Sequence, residues 1–153
     1  MTPRQMLLNT LKVLKPPPKL SVSQWADQER RLDSQTSAEP GRWYTSRAEY
    51  QRGIMDACSD PSIPEVVVMA AAQLGKTEAI LNIIGFHMDH DPSPILVLQP
   101  TLDMAQSFSK DRVANGLIKS TPCLTAKVNE ARSRDSGNTT LHKLFPGGSV
   151  SIV

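Results

Sequence analysis

The sequence lacks the features that mark secreted, membrane-spanning and metal-binding proteins. Its 153 residues contain two cysteines, Cys58 and Cys123, whose spacing fits neither a metal site nor a redox motif. We therefore interpret them as reduced thiols of a cytosolic protein with no membrane partner. No apolar run approaches the length that crosses a bilayer. Residues 1–15 also lack the long apolar core and the small-residue cleavage site of a secretory signal.

An excess of charge of one sign is also missing. The formal net charge is +2, so no overall basic field favours nucleic acid, and any such contact must come from local patches. Hydrophobic residues make up 39% of the chain and charged residues 21%, which is typical of a globular domain. Four basic residues flank a polar stretch and could bind DNA phosphates, although a solvated loop explains them equally well. They are Lys127, Arg132, Arg134 and Lys143.

Residues 66–77, which read VVVMAAAQLGKT, are the most informative segment. The β-branched run 66–69 predicts a buried parallel strand. After the small residues that follow, the helical pattern of 78–88 places Ile80, Leu81, Ile83 and Ile84 on one apolar face. A strand, a tight turn and a helix N-terminus in this order are typical of a phosphate-binding loop, because unpaired N–H groups and the helix dipole favour an anion there.

The loop predicts both a ligand and a set of roles. The backbone N–H groups of Gln73, Leu74 and Gly75 would face the phosphates of ATP. We predict that Lys76 and Thr77 are catalytic, with Lys76 reaching the β- and γ-phosphates and the Thr77 hydroxyl binding Mg²⁺. Glu78 completes the predicted nucleotide-binding segment. The match to G-x-x-x-x-G-K-[ST] is imperfect because Ala70 occupies the first glycine position, and an ordinary strand-to-helix turn with a surface lysine is the alternative.

The remaining pattern predicts an α/β fold with a parallel sheet flanked by helices. Residues 1–20 indicate an amphipathic helix (3–15) followed by a proline-rich linker. Within 21–153, Ser21 and Gln24 resemble a capping box at the start of a helix that extends to about Leu32. Further elements are predicted as a helix over 48–58, a buried strand over 95–98, a helix over 102–119 capped by Thr101, and a hairpin of strands 139–145 and 149–153.

One expected motif is not present after the loop. A nucleotide hydrolase of this type needs an apolar strand that ends in Asp or Glu, to hold Mg²⁺ and polarise the attacking water. The strand predicted over 95–98 is followed by Gln99-Pro100, and the chain stops at Val153. We therefore expect 21–153 to be an incomplete P-loop ATPase domain, truncated before the acidic strand motif, from the front of a longer protein.

Several short stretches, taken in order, resemble the large terminase subunit of tailed bacteriophages, in the lambda-like branch. They cover about residues 21–153. They are Ser23-Gln24-Trp25-Ala26-Asp27, Pro40-Gly41-Arg42-Trp43, Tyr50-Gln51 with Ile54-Met55-Asp56, Ala72-Gln73-Leu74-Gly75-Lys76-Thr77-Glu78, Gln99-Pro100-Thr101 with Ala105, Thr121-Pro122 with Leu124, and Phe145-Pro146-Gly147-Gly148-Ser149.

The resemblance implies an ATP-driven motor that moves double-stranded viral DNA into a procapsid in the host cytoplasm. It further implies a small terminase subunit, the portal and other copies of the chain as partners, and a nuclease beyond Val153. By similarity to helicase-like motors, Gln51 would bind the adenine edge and Tyr50 would stack on the base; the alternative is a helix with Tyr50 in the core. Ala72 stands where some terminases carry an arginine beside the loop.

Two other function classes remain open at this point: a helicase-type translocase, and a nucleotide-binding or interaction module that does not hydrolyse ATP. A metal site at His87, His90 and Asp91 is disfavoured because these residues end a helix, where histidines commonly interact with the dipole.

Overall fold

The computed structural model describes residues 5, 18–35, 37–128 and 138–153. The helix predicted over 3–15, apart from residue 5, and the predicted DNA contacts Arg132 and Arg134 lie outside these residues. In chain order, the elements are α1 (Val22–Glu29), β1 (Arg31–Leu32), β2 (Gly41–Arg42), a 3₁₀ helix (Thr45–Gln51), α2 (Arg52–Ala57), α3 (Lys76–Asp89), β3 (Ile95–Val97), α4 (Leu102–Ser107), a π-helical stretch (Phe108–Lys119), α5 (Pro122–Thr125), β4 (His142–Phe145) and β5 (Gly148–Ile152).

The core lies where α1, α3 and the π-helical stretch pack together. Trp25 of α1 is buried against α3, and its indole N–H donates to Asp89 Oδ2 at 2.8 Å. Gly85 of α3 allows this approach, because a Cβ there would lie 2.3 Å from the Trp25 ring. Leu117 of the π-helical stretch also lies next to Gly85, 3.2 Å from the position of such a Cβ. The helix that follows the loop is therefore fixed along its length by the core.

The main sheet has three strands in the order β3-β5-β4. β3 and β5 are parallel, with Ile95 opposite Val150, whereas β4 and β5 form an antiparallel hairpin. Gly147 has φ +90° in the turn between β4 and β5, a conformation that glycine adopts readily. The predicted hairpin and the predicted combination of helices with a parallel strand pair are thus confirmed.

The predicted buried strand over 66–69 was wrong. These residues form no strand, and the side chains of Val67 and Met69 are 81% and 100% exposed. An apolar run becomes a buried strand only where neighbouring strands and helices cover it, and no strand among the described residues pairs with this one. Leu96 and Leu98, also predicted to be buried, are exposed, because β3 pairs on one side only within the described part of the chain.

The predicted helix starts were more accurate. The Ser21 N–H donates to Gln24 Oε1 at 3.1 Å, and Thr101 Oγ1 accepts from the Met104 N–H at 3.2 Å. The helix predicted over 48–58 is instead a 3₁₀ helix followed by α2, because Ala48 has non-helical dihedral angles (φ −139°, ψ 61°). None of the described helices has both the length and the apolar character needed to cross a bilayer.

Candidate nucleotide-binding site

The segment before α3 is an exposed turn with two residues in left-handed conformations. Gln73 has φ +59°, which is uncommon for a residue other than glycine, and Gly75, the N-cap of α3, has φ +71°. Alternating backbone conformations of this kind turn successive N–H groups toward a common point, where an anion can bind. The predicted turn at Gly75-Lys76-Thr77 is therefore present, although the strand predicted before it is not.

The amides of this turn are unpaired. Among the described residues, no acceptor takes a hydrogen bond from the backbone N–H groups of residues 73–77, whereas Glu78 and Ala79 both donate to the Gly75 carbonyl. The turn leads into α3, which has 14 residues and so presents a full helix dipole at this end. Unpaired amides at the start of a long helix provide the donors that phosphate oxygens require.

Lys76 and Thr77 occupy the first turn of α3. The Lys76 ammonium donates to the carbonyl oxygens of Ala70 and Ala71, so it lies across the loop. Ala70, which replaces the usual first glycine, thus contributes its carbonyl to holding the lysine. The Thr77 hydroxyl makes no hydrogen bond to another described residue. Both functional groups are near the unpaired amides, as a Mg²⁺–triphosphate site requires.

Gln51 and Tyr50 contact the loop directly. Gln51 Nε2 donates to the Leu74 carbonyl at 3.1 Å, and the Tyr50 hydroxyl donates to the same oxygen at 3.0 Å. Gln51 is 3% exposed, whereas Tyr50 is 59% exposed, which rules out the alternative that Tyr50 lies in the core. The structure therefore places Gln51 against the loop at Leu74 and Gly75, in the middle of the predicted segment Gln73–Thr77.

The side chain of Glu78 lies in an ion-pair cluster that sequence reasoning missed. Its carboxylate is 3.1 Å from Arg30 Nη2 and 4.0 Å from Arg112 Nη1. Arg30 is 1% exposed and also donates to the Gly116 carbonyl at 2.8 Å. Burial lowers the pKa of Arg30, while the charge of Glu78 acts to raise it. These groups connect the end of α1, the start of α3 and the π-helical stretch.

Two predicted DNA contacts have other partners. Lys143 was predicted beside a flexible stretch, but it is buried and donates to Ser109 Oγ at 2.7 Å and to the Thr140 carbonyl at 2.9 Å. Burial lowers the pKa of its ammonium group. This prediction was wrong because Lys143 points inward from β4, next to the π-helical stretch. Lys127 forms an ion pair with Asp89 at 2.8 Å.

The histidines that end α3 have local partners. His87 Nδ1 lies 3.2 Å from the Asp91 carbonyl oxygen, and His90 Nε2 accepts from the Leu20 N–H at 3.3 Å. No group of three or more His, Cys, Asp or Glu side chains in the described part of the chain is arranged to hold a metal ion. Binding of Mg²⁺ by the Thr77 hydroxyl stays a prediction of the sequence.

The fold combines helices with a sheet that contains a parallel strand pair, and α3 begins at Gly75-Lys76-Thr77. These features fit the class of ATPase domains. Residues 37–153, more than half of the chain, match the model of the family described as phage terminase large subunit gpA, ATPase domain. The chain belongs to this family. The resemblance drawn from the short sequence stretches is therefore confirmed.

Two curated relatives give the same result. The terminase large subunit of Escherichia phage lambda is 29% identical over 136 residues, which are 89% of this chain and 21% of that protein. The terminase large subunit of Enterobacteria phage P21 is 29% identical over 132 residues, or 86% of this chain and 20% of that protein. The chain thus spans about a fifth of the length of these relatives. No solved structure is significantly similar to it.

Proposed function

We propose that the chain binds Mg²⁺–ATP at the turn before α3 and provides the phosphate-binding part of the ATPase that drives packaging of viral DNA. The observation that carries this proposal is the row of unpaired amides at 73–77, next to Lys76 and Thr77 in a chain of the terminase family. The residues that we propose for the cofactor site are Gln51, Gln73, Leu74, Gly75, Lys76, Thr77 and Glu78.

The residues of this chain would act by positioning the nucleotide. The amides of the turn bind phosphate oxygens, and Lys76 exchanges the carbonyls of Ala70 and Ala71 for the β- and γ-phosphates. Thr77 would hold Mg²⁺, which when bound would supply positive charge beside the phosphates. These contacts orient the γ-phosphate for attack by water. The sequence after the loop has no apolar run followed by an acidic residue, so we expect weak ATP binding and negligible turnover by residues 1–153.

The proposal extends to the whole terminase by the family relationship. The partners we propose are double-stranded viral DNA, the small terminase subunit, the portal of the procapsid and further copies of the chain, all in the host cytoplasm. Residues 1–20 would be an N-terminal segment, and 21–153 would belong to the ATPase domain. Nuclease activity would belong to the part of the protein that this chain does not cover.

Titration of a fluorescent ATP analogue into residues 1–153 with Mg²⁺ tests the proposal. We expect saturable binding that Lys76→Ala weakens by about 10-fold or more, because the ammonium loses its contact with the phosphates. Lys110→Ala is the matched control, since Lys110 is an exposed lysine in the π-helical stretch. Equal affinity of the native chain and the Lys76→Ala variant would refute the proposed site. Rapid Mg²⁺-dependent hydrolysis would refute the expectation that turnover is negligible.

A further inference from the structure

Two neighbouring side chains of the 3₁₀ helix donate to one carbonyl of the loop. The Tyr50 hydroxyl and Gln51 Nε2 lie 3.0 and 3.1 Å from the Leu74 oxygen. In a trans peptide the C=O and N–H bonds lie in one plane and point in opposite directions. Two donors that fix the direction of the Leu74 carbonyl therefore also fix the direction of the Gly75 N–H, which is one of the unpaired amides.

The burial of Gln51 makes the loop, and not a base, its partner. Gln51 is 3% exposed, and its Oε1 is enclosed without a hydrogen-bond partner among the described residues. A base cannot reach an amide oxygen that has no contact with solvent, unless the side chain first leaves the loop. The contact is also close-packed, since a Cβ on Gly75 would lie 2.4 Å from Gln51 Nε2.

We propose that Tyr50 and Gln51 are positioning residues that hold the Leu74 carbonyl away from the phosphate site and so direct the Gly75 N–H into it. The inference rests on the proposed nucleotide-binding function. It gives Gln51 a role in shaping the triphosphate site, through Leu74, in place of the contact with the adenine edge that the resemblance implies. Among the described residues, Tyr50 and Gln51 are the donors to the Leu74 oxygen, so no other hydrogen bond holds its peptide in this direction. A turned peptide would present a carbonyl to the anion, which repels it.

The assignment has a consequence for nucleotide choice. A residue that reads adenine affects ATP and leaves GTP or inorganic tripolyphosphate unchanged. A residue that orients the loop affects all of these ligands by the same factor, because they share the phosphate chain. The ratio of ATP to GTP affinity therefore separates the two roles, and tripolyphosphate tests the phosphate contact with no base present.

The first experiment compares Tyr50→Phe with Tyr44→Phe in the full 153-residue chain. Both changes remove one hydroxyl from an exposed tyrosine, but only Tyr50 contacts the loop. We expect Tyr50→Phe to weaken ATP, GTP and tripolyphosphate binding alike, by about 2- to 10-fold, the effect of one hydrogen bond, and Tyr44→Phe to have no effect. Equal affinities in the two variants, or a loss confined to ATP, would overturn the assignment.

Gln51→Met adds a test that a merely structural role would not pass. Methionine has a similar volume and removes both the donor to Leu74 and the unpartnered buried oxygen, so we expect the thermal stability to be retained while affinity for all three ligands falls. Loss of ATP affinity with unchanged tripolyphosphate affinity would show that Gln51 reads the base instead.

The NMR signal of the Gly75 amide tests the positioning role without any ligand. We expect this signal to shift or broaden in Tyr50→Phe and Gln51→Met, because the peptide between Leu74 and Gly75 loses a hydrogen bond that fixes its direction, and to stay unchanged in Tyr44→Phe. An unchanged Gly75 signal in both variants would overturn the positioning role, whether or not nucleotide binds. If the native chain bound no triphosphate while the Gly75 signal still changed in the variants, the proposed function and the assignment to phosphate would fall, and the hydrogen bonds alone would stand.

Discussion

At Gly75, two separate constraints exclude a side chain. The φ of +71° is a left-handed conformation that costs other residues about 1–2 kcal/mol, and Gln51 Nε2 occupies the place where a Cβ would be. The unpaired amides depend on this conformation, since it turns the chain from the loop into α3. The glycine at this position is therefore needed by the backbone and by its neighbour at the same time.

We expect Gly75→Ala to destabilise the chain by about 1–3 kcal/mol and to reduce triphosphate affinity, because the strain is relieved only by moving the loop or Gln51. Gly53→Ala is the matched control. Gly53 lies in α2 with nothing within 4 Å of a Cβ, so alanine should stabilise it by about 0.5–1 kcal/mol. Urea denaturation measures both effects. A Gly75→Ala variant as stable as Gly53→Ala would contradict this account of the turn.

The two cysteines should differ in reactivity. Burial, with a further contribution from the negative charge of Asp89, raises the pKa of Cys123 to about 12, and burial also raises the pKa of Cys58. Only the thiolate form of cysteine reacts, and with this pKa very little of Cys123 is a thiolate at pH 8. Cys123 should therefore be nearly inert at that pH. Labelling of Cys58→Ser and Cys123→Ser with iodoacetamide measures this. Faster labelling of Cys123 than of Cys58 would contradict it.

At the scale of elements, prediction succeeded where the deciding contacts are local. The caps at Ser21 and Thr101 and the turn at Gly147 each involve residues within a few positions, so their sequence patterns define them. The run at 66–69 has the composition of a buried strand, but composition does not supply the neighbouring strands that bury it. Likewise, the contact of Gln51 with Leu74 joins residues 23 positions apart, and no local pattern predicts which carbonyl the amide reaches.

The ion-pair cluster at Glu78 is also a contact between elements. Removing the charge with Glu78→Gln leaves the buried guanidinium of Arg30 without its carboxylate, so we expect a loss of about 2–4 kcal/mol in the free energy of unfolding. Glu49→Gln breaks an exposed pair with Arg52 and should have little effect. Urea denaturation of both variants measures the difference. Equal stability of the two variants would show that the other hydrogen-bond acceptors of Arg30 are enough to stabilise its buried charge.

For the molecule as a whole, the distribution of charge matters more than its small net value. Several basic side chains have partners within the chain and are not free to bind DNA. They are Arg30 with Glu78, Lys127 with Asp89, and Lys143 with Ser109 and Thr140. Arg47 and Arg52 pair with Glu39 and Glu49 at the surface. These partners reduce the number of cations that the described part of the chain offers to the phosphates of a duplex.

We consequently expect residues 1–153 to bind double-stranded DNA weakly and with a shallow salt dependence. Each phosphate contact contributes about −0.9 to the slope of log affinity against log salt concentration, so the expected slope is no steeper than about −3. Fluorescence anisotropy of a labelled duplex between 50 and 200 mM salt measures this. Lys127→Ala should leave the slope unchanged, because Lys127 is paired with Asp89. Lys110→Ala should make the slope shallower, because it removes an exposed lysine of the π-helical stretch. A slope of about −5 or steeper would contradict this expectation, because it would correspond to about five or six phosphate contacts.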